Sequence, residues 1–163
     1  MIDRSDNNTN NNVSEMPKLT TLATIWYADT LYGEKTQISL CESIPALEEA
    51  PEQITGSAVD IDYEFSQPGK TKAGTIEIPV YYTHTQHQRL KNIERQNKYI
   101  FVKHPDATAP SGQEPLVRYF QGSMVTIPDE MPDEDWAKDK LTIYRATKVE
   151  ESYGFPVQSN NNG

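Results

Sequence analysis

Alternating apolar and polar positions recur along the chain and predict a mainly β protein. The alternating runs are rich in β-branched and aromatic residues and are bounded by turn-forming residues. The predicted strands are Thr20–Tyr27, Thr36–Glu42, Ala58–Phe65, Thr75–Tyr82, Lys98–Lys103, Leu116–Ile127 and Lys140–Lys148. This set is sufficient for a β-sandwich or barrel of antiparallel strands.

The segment Ala58–Phe65 combines strict alternation with charge of a single sign. Its apolar positions are Val59, Ile61, Tyr63 and Phe65, and its acidic positions are Asp60, Asp62 and Glu64. Because successive side chains of a strand face opposite sides of the sheet, the pattern predicts one apolar face and one carboxylate face. From Glu42 to Glu64 the chain has seven acidic residues and no Lys or Arg. This predicts a surface that tolerates or uses negative charge.

One helix interrupts the predicted strands. Thr83 and Gln86 fit a capping box, and the helix is expected to run to about Gln96. Leu90 and Ile93 form a narrow apolar stripe, which predicts a helix on the flank of the sheet with its basic residues mostly turned away. A basic helix and an acidic sheet face in one domain allow complementary contacts between copies of the protein.

Two connections have distinct compositions. Asp29–Lys35 contains Gly33 and is interpreted as the tip of a hairpin. Ser43–Ser57 has two prolines, a glycine and several glutamates, which predicts a long, acidic and exposed loop. Loops of this length without structure of their own are usually functional or disordered.

Length and charge limit the possibilities further. The 163 residues fit a single β-rich domain over residues 19–155, with a flexible polar N-terminal arm at 1–18 and a flexible C-terminal tail at 156–163. A net charge of −9 disfavours a protein that binds nucleic acid tightly. The one cysteine, Cys41, cannot form an internal disulfide and is interpreted as a core residue. With no apolar run of membrane length and no signal peptide pattern, we expect a soluble protein made in the cytoplasm.

Few residues suggest catalysis or metal binding. His84 and His87 are three residues apart, with His104 and Asp106 as a distant second pair, but no zinc-binding motif is present. We interpret these histidines as surface residues. Gly69-Lys70-Thr71 lacks the earlier glycine of a phosphate-binding loop and is interpreted as a turn.

An acidic cluster follows the longest predicted strand. Its members are Asp129, Glu130, Asp133, Glu134 and Asp135. Pro128 and Pro132 break the spacing that a calcium-binding loop requires, so a solvated turn is the preferred interpretation. We predict no catalytic residue, no metal site and no cofactor, and we expect the protein not to be an enzyme.

Three segments, in this order, resemble the major tail tube protein of long-tailed (siphovirus) bacteriophages. They are SIPALEEAPEQI (Ser43–Ile54), HQRLKNIERQNKYIFVKHPD (His87–Asp106) and VRYFQGSMVTI (Val117–Ile127). They resemble, respectively, that family's proline-containing loop, its helix followed by a strand and a turn, and its next strand. One departure is that the glycine usual near Asp106 is delayed to Gly112. The same fold also serves the inner tube of contractile tails and bacterial secretion machines.

The resemblance implies a structural role in the tail of a virion. Copies of the chain would form hexameric rings that stack into a hollow tube through which the genome is delivered. The implied partners are the protein itself, the tape measure protein, the distal tail or baseplate proteins and the tail terminator protein. DNA would pass without specific binding, no membrane would be involved, and assembly would occur in the host cytoplasm.

Site predictions follow from joining this resemblance to the charge pattern. The hypothesis is that Asp60, Asp62 and Glu64 face the channel and repel passing phosphates. The candidates for contacts within and between rings are Tyr32, Pro45, Leu47, Glu48, Glu49, Pro51 and Ile54. The alternative interpretations are an ordinary solvent face for the acids and, for the whole protein, a monomeric β-sandwich that recognises a protein or carbohydrate partner.

Overall fold

The structure is a computed structural model that describes residues 23–57, 59–60, 62–131, 133 and 135–159. Its strands are β1 (Thr24–Ala28), β2 (Thr36–Ile38), β3 (Gln53–Gly56), β4 (Phe65–Pro68), β5 (Thr75–Tyr81), β6 (Lys98–Lys103), β7 (Leu116–Pro128), β8 (Lys138–Arg145) and β9 (Glu150–Tyr153). Helix α1 (His84–Asn92) and a 3₁₀ turn (Asp106–Thr108) complete the described elements. The predicted fold class, mainly antiparallel β with one flanking helix, is confirmed, and the main sheet curls into a half-barrel.

The main sheet has the strand order β2-β1-β6-β7-β8-β5 and every pair is antiparallel. The long strand β7 changes partner along its length: Leu116–Tyr119 pairs with β9, and Gly122–Pro128 pairs with β8. Gly122 lies where the partner changes, and a Cβ atom there would be 2.5 Å from the carbonyl oxygen of Tyr144. A glycine is therefore required for the close approach of the two backbones.

The two ends of this sheet meet through the segment that follows β2. Leu40 adopts a left-handed backbone conformation (φ 61°), and Cys41 then forms an antiparallel bridge with Val80 of β5. The Tyr81 amide donates to the Leu40 carbonyl at 3.0 Å. The curled sheet is thus joined along part of its open side, which protects part of the β5 edge from pairing with other chains.

A helix side chain completes this junction. The Ser39 amide donates to Gln86 Oε1, and Gln86 Nε2 donates to the Ser39 carbonyl, both at 2.8 Å. The buried side-chain amide of Gln86 therefore takes the place of a neighbouring strand for Ser39. This residue lies between β2, which pairs with β1, and Cys41, which bridges to β5.

The core lies on the concave face of the half-barrel and is formed by the inward-pointing residues at alternating positions of the strands. Leu90 of α1 and Leu47 of the loop after β2 cover it. Its strand residues are Ile25, Tyr27, Ile38, Ile76, Ile78, Val80, Ile100, Val102, Phe120, Met124, Leu141 and Ile143. A smaller cluster on the opposite face contains Phe101 and Val117, against which Phe155 packs from the C-terminal segment.

Several predicted elements agree with the structure. Lys98–Lys103 is a strand with the predicted ends, Thr75–Tyr82 is one residue longer than β5, and Leu116–Ile127 is one residue shorter than β7. Asp29–Lys35 is the tip of the β1–β2 hairpin, in which the Gly33 amide donates to the Thr30 carbonyl.

The predicted strand Ala58–Phe65 is wrong. Residues 59–60 and 62–63 form turns and bends between β3 and β4, and of the residues described in this segment only Phe65 belongs to a strand. Val59 and Tyr63, which the alternation assigned to an apolar face, are exposed. A row of acids has low strand propensity, and here the flanking residues pair with each other, so the acidic segment becomes the loop that joins them.

Other boundaries also differ from the predictions. Thr83 makes no side-chain capping bond, the Gln86 side chain bonds to Ser39 instead of to the cap, and α1 ends at Asn92. The loop Ser43–Ser57 is not structureless, since its last part forms β3.

Several strand ends also differ from the predictions. β2 stops at Ile38, β8 spans Lys138–Arg145 where Lys140–Lys148 was predicted, and β9 was missed. The start of the predicted strand Thr20–Tyr27 and the predicted arm at 1–18 lie outside the described residues.

Candidate assembly surface

The strands β3 and β4 form a two-stranded hairpin that pairs with no other described strand. Ile54 and Phe65 lie on one face, and the Phe65 ring covers Gly56, where a Cβ atom would be 2.6 Å from the ring. Thr55 and Ser66 lie on the other face. The hairpin is therefore amphipathic, yet both large apolar side chains are about half exposed, Ile54 at 51% and Phe65 at 48%.

The hairpin tip carries the three acids that were predicted to face the channel. Asp60, Asp62 and Glu64 are all exposed, and none forms a salt bridge within the described part of the chain. Val59 and Tyr63 lie among them, with Tyr63 70% exposed. The structure thus brings these acids together on a projection, and their role in a channel stays a prediction.

The base of the hairpin is closed by local contacts. The Gly69 amide donates to the Glu52 carbonyl at 2.7 Å, and the Lys72 ammonium pairs with the Glu52 carboxylate. Both charged side chains are well exposed, so the ion pair contributes little to stability. The hairpin is held by its own backbone ladder more than by the rest of the protein.

The loop that leads to the hairpin is anchored to the half-barrel by Arg145. This arginine is buried on β8, its Nη1 donates to Glu48 Oε1 at 3.1 Å, and its Nη2 donates to the Lys72 carbonyl at 2.7 Å. Glu48 Oε1 also accepts from the Val149 amide at 3.3 Å. Leu47, one residue earlier, is part of the core. Glu48 and Leu47 therefore already have contacts within the chain.

Arg145 was not identified from the sequence. It lies inside the predicted strand Lys140–Lys148, at the last residue of β8, and has no motif around it. Its partner Glu48 lies on a loop nearly one hundred residues away. The only available signal was the alternation of β8, which places Arg145 on the same face as Leu141 and Ile143.

A groove of about 680 Å³ opens at the end of the half-barrel, between the segment after β2 and the ends of β6 and β7. Its apolar walls include Ile44, Leu47 and Val102, and its polar walls include His104 and Arg118. The remaining lining residues are Ala23, Cys41, Glu42, Ser43, Pro45, Ala46 and Pro105.

The guanidinium of Arg118 lies at the groove beside the Glu151 carboxylate. Arg118 Nε lies 3.3 Å from Glu151 Oε1 but outside hydrogen-bonding geometry, so this buried donor has no hydrogen-bond partner among the described residues. Burial, and then the charge of Arg118, lower the pKa of His104. Burial also raises the pKa of the Cys41 thiol to about 11, which keeps it protonated at neutral pH.

The other predicted contact residues are dispersed over the surface. Tyr32 is exposed in the β1–β2 turn, Pro45 is exposed at the rim of the groove, and Glu49 and Pro51 are exposed in the anchored loop. Only Ile54 belongs to the hairpin. Their contacts in an assembly stay predictions.

The residues considered for chemistry have other partners. His87 Nδ1 is 2.8 Å from Asp139 Oδ2, which joins α1 to β8. In the acidic cluster, Asp129 accepts from the Glu130 amide and Asp135 accepts from the Trp136 amide. Across the described ranges, no three His, Cys, Asp or Glu side chains converge as a metal site. No helix in the described part of the chain is long and apolar enough to cross a membrane.

No protein-family model matches the sequence, and no curated protein is similar to it. Solved structures do share its fold. A chain in the cryo-EM structure of the sheath/tube terminator of an extracellular contractile injection system, PVC, in its extended state, superposes with a TM-score of 0.63 and 13% identity. The match covers 85% of this chain and 99% of that chain.

Two further structures give similar results. A chain in the extended PVC sheath-tube complex has a TM-score of 0.62 and 14% identity, covering 89% of this chain and 97% of that chain. A chain in the six-fold symmetrised baseplate of the anti-feeding prophage has a TM-score of 0.57 and 6% identity, covering 85% and 97%. The chain therefore has a fold that occurs in the components of contractile injection particles.

Proposed function

We propose that the protein is a structural subunit of a phage tail or a tail-like particle, in which copies of the chain assemble into the rings of a hollow tube. The observation that carries this proposal is the fold shared over 85–89% of the chain with components of PVC tube and terminator assemblies. The resemblance of three sequence segments to a tail tube family supports the same role.

The geometry of the monomer supports self-assembly. Each subunit has an amphipathic projection, β3–β4, whose two large apolar side chains, Ile54 and Phe65, stay about half exposed in the described chain. A subunit that joins a ring head to tail must present two different surfaces, and stable contacts bury about 800 Å² on each partner. The projecting hairpin supplies one such surface.

The finer parts of the proposal are the ring size, the partners and the position in the particle. We propose a hexameric ring, which agrees with the six-fold symmetry of the anti-feeding prophage baseplate. Tape measure, distal or baseplate, and terminator proteins are the expected partners. The particle is a virion with a long non-contractile tail if the sequence resemblance holds, and DNA then passes through the tube during genome delivery.

A terminator ring is a second candidate function. It is favoured by the match to a chain in the PVC sheath/tube terminator structure, because the match covers 99% of that chain. A terminator is expected to form a single ring and to stop growth, whereas a tube subunit is expected to stack into long tubes. The two candidates therefore differ in the length of the assembly that the purified protein forms.

Negative-stain electron microscopy of the purified protein at low and high concentration tests the proposal. Tubes support the main tube role, and isolated rings support the terminator role. A uniform particle near 18.5 kDa at all concentrations, measured by light scattering, contradicts both. It favours the alternative of a monomeric β-sandwich that recognises a protein or carbohydrate partner. The matched variants are Phe65→Ser, which should impair assembly, and Tyr153→Ser, which removes an exposed aromatic side chain outside the hairpin.

The channel role of Asp60, Asp62 and Glu64 has its own test. Replacing all three by Lys is expected to leave tubes intact and to slow genome delivery, because a positive lining attracts DNA phosphates. Infectivity equal to that of the native protein would remove the channel role.

A further inference from the structure

The β3–β4 hairpin lacks the partner that its sequence requires. A two-stranded hairpin alone is at best marginally stable in water, and this one places Ile54 and Phe65 on one face without a core beneath them. Tyr63 and Val59 extend the exposed apolar surface to the tip. A surface of this kind marks a site of protein contact more often than a free surface.

The groove at the end of the half-barrel has complementary chemistry. Its walls combine the apolar side chains of Ile44, Leu47 and Val102 with the guanidinium of Arg118. Glu42, the acidic residue in its lining, is neutralised by Lys138 at 3.2 Å. At about 680 Å³ the groove is large enough to receive several side chains of an inserted segment.

The groove also offers a donor for the acids of the hairpin tip. Asp60, Asp62 and Glu64 have no paired cation in the described chain, whereas the Arg118 side chain is 42% exposed and lies 3.3 Å from Glu151 without a hydrogen bond from its Nε. A carboxylate that accepts from a guanidinium forms a charge-assisted hydrogen bond, which is stronger than a neutral one. Insertion of the tip would therefore place a carboxylate on the exposed part of this guanidinium and cover exposed apolar area in one contact.

We propose that the β3–β4 hairpin of one copy inserts into this groove of the next copy, with Val59 and Tyr63 against its apolar walls and a tip carboxylate on Arg118. The inference rests on the proposed assembly and specifies which two surfaces meet. It gives the tip acids a contact role in place of the channel role, so on this inference replacing Asp60, Asp62 and Glu64 by Lys prevents assembly instead of leaving tubes intact. Because the hairpin and the groove are different surfaces of one subunit, the contact is head to tail and generates a ring or a filament, not a closed dimer.

The single native cysteine makes the contact testable by disulfide trapping. Cys41 lines the groove, so Val59→Cys or Tyr63→Cys places a second thiol on the inserting tip. Mild oxidation at about pH 8.5 is expected to give a ladder of covalent oligomers on a non-reducing gel, because each subunit then bonds to two neighbours. The high pKa of Cys41 requires long incubation, and reduction should return the ladder to monomer.

Two controls separate this contact from random collision. V59C combined with Cys41→Ser has only the tip thiol and is expected to stop at dimers. Tyr32→Cys places an exposed thiol on the other hairpin tip, β1–β2, and is expected to give no ladder.

The outcomes distinguish failure of the inference from failure of the proposed function. Rings or tubes by microscopy, with no ladder from either tip variant, overturn the inference and leave the assembly role intact. Absence of any assembly and of any ladder removes both. A ladder from V59C or Y63C supports the inference and moves the tip acids from the channel to the subunit contact.

A charge exchange gives a second measurement on the same contact. Arg118→Glu is expected to weaken assembly at least tenfold in critical concentration, and Asp62→Lys in the same chain should restore part of it. Normal assembly of a folded R118E protein would contradict the proposed pairing. Circular dichroism checks that R118E retains the native fold.

Discussion

The half-barrel and the β3–β4 hairpin use the same kind of backbone pairing but differ in what lies beneath the side chains. In the half-barrel, inward residues such as Ile143 and Phe120 are almost fully buried, and Cys41 bridges the two ends of the sheet. In the hairpin, seven of the eight strand residues are exposed, and the eighth, Gly56, is half-buried. The hairpin has the pairing of a sheet without its core.

This difference separates folding from assembly. Burial of apolar area is the main favourable term in folding, so the half-barrel holds most of the stability of the monomer. The hairpin contributes little there, and its exposed apolar residues become useful only when another surface covers them. The loop 43–52 is intermediate between the half-barrel and the hairpin. Leu47 and Glu48 are held against the half-barrel, whereas Glu49 and Pro51 are exposed.

The largest contrast is expected from one substitution made in both regions. Phe120→Ala, in the core and 2% exposed, should lower the free energy of unfolding by about 3–5 kcal/mol through lost burial and a cavity. Phe65→Ala, at 48% exposure, should cost less than about 1 kcal/mol in the monomer. Urea unfolding of both variants provides the comparison, and equal losses would show that the hairpin belongs to the folding unit.

The anchor between the two regions should have an intermediate effect. Arg145→Ala removes two hydrogen bonds of a charged donor, to Glu48 and to the Lys72 carbonyl, and should lower the free energy of unfolding by about 1.5–3 kcal/mol. Amide exchange should accelerate in residues 43–52. Lys148→Ala, an exposed basic residue, is the matched control and should change neither quantity.

A smaller effect is expected at the junction that joins the ends of the sheet. Gln86→Leu removes both hydrogen bonds to Ser39 and should destabilise the protein by about 1–2 kcal/mol, since water can reach the freed backbone groups of this exposed residue. Gln88→Leu, on the exposed side of α1, should have almost no effect. If both variants unfold at the same urea concentration, Gln86 does not replace a strand partner in solution.

The smallest effect concerns pH. Burial, and then the charge of Arg118, lower the pKa of His104 below its ordinary 6.5, so the unfolded chain binds a proton at a pH where the folded chain does not. The free energy of unfolding should therefore fall as the pH drops below about 6.5 and level off below the folded pKa. His104→Gln should lack this component, and an identical pH dependence of the two proteins would refute it.

Local sequence was sufficient for elements with strong strand chemistry and clear turns. Lys98–Lys103 is a run of aromatic and aliphatic residues between two lysines and folds as predicted. The segment Ala58–Phe65 alternates strictly, but its polar positions are all acids, and its neighbours Gln53–Gly56 and Phe65–Pro68 pair with each other. Period alone did not distinguish a strand from the tip of a hairpin.

The candidate contact residues were predicted less completely. The acidic tip and Ile54 are exposed, and the channel role of the acids and the contact role of Ile54 stay predictions. The anchoring role of Arg145 and the strand-like role of Gln86 were missed, because both depend on contacts with segments 97 and 47 residues away. Such contacts leave no local pattern in a single sequence.

The sequence by itself determined a mainly β chain with one short helix, its β1–β2 hairpin and an uncompensated acidic stretch. These features depend on side-chain chemistry and on neighbours within a few residues. Tertiary structure decided which strands pair, where the half-barrel is joined, and that the acids project on a hairpin outside the core. Pairing is decided by the free energy of the whole sheet, in which register, burial and edge protection are satisfied together, and no segment carries that information alone.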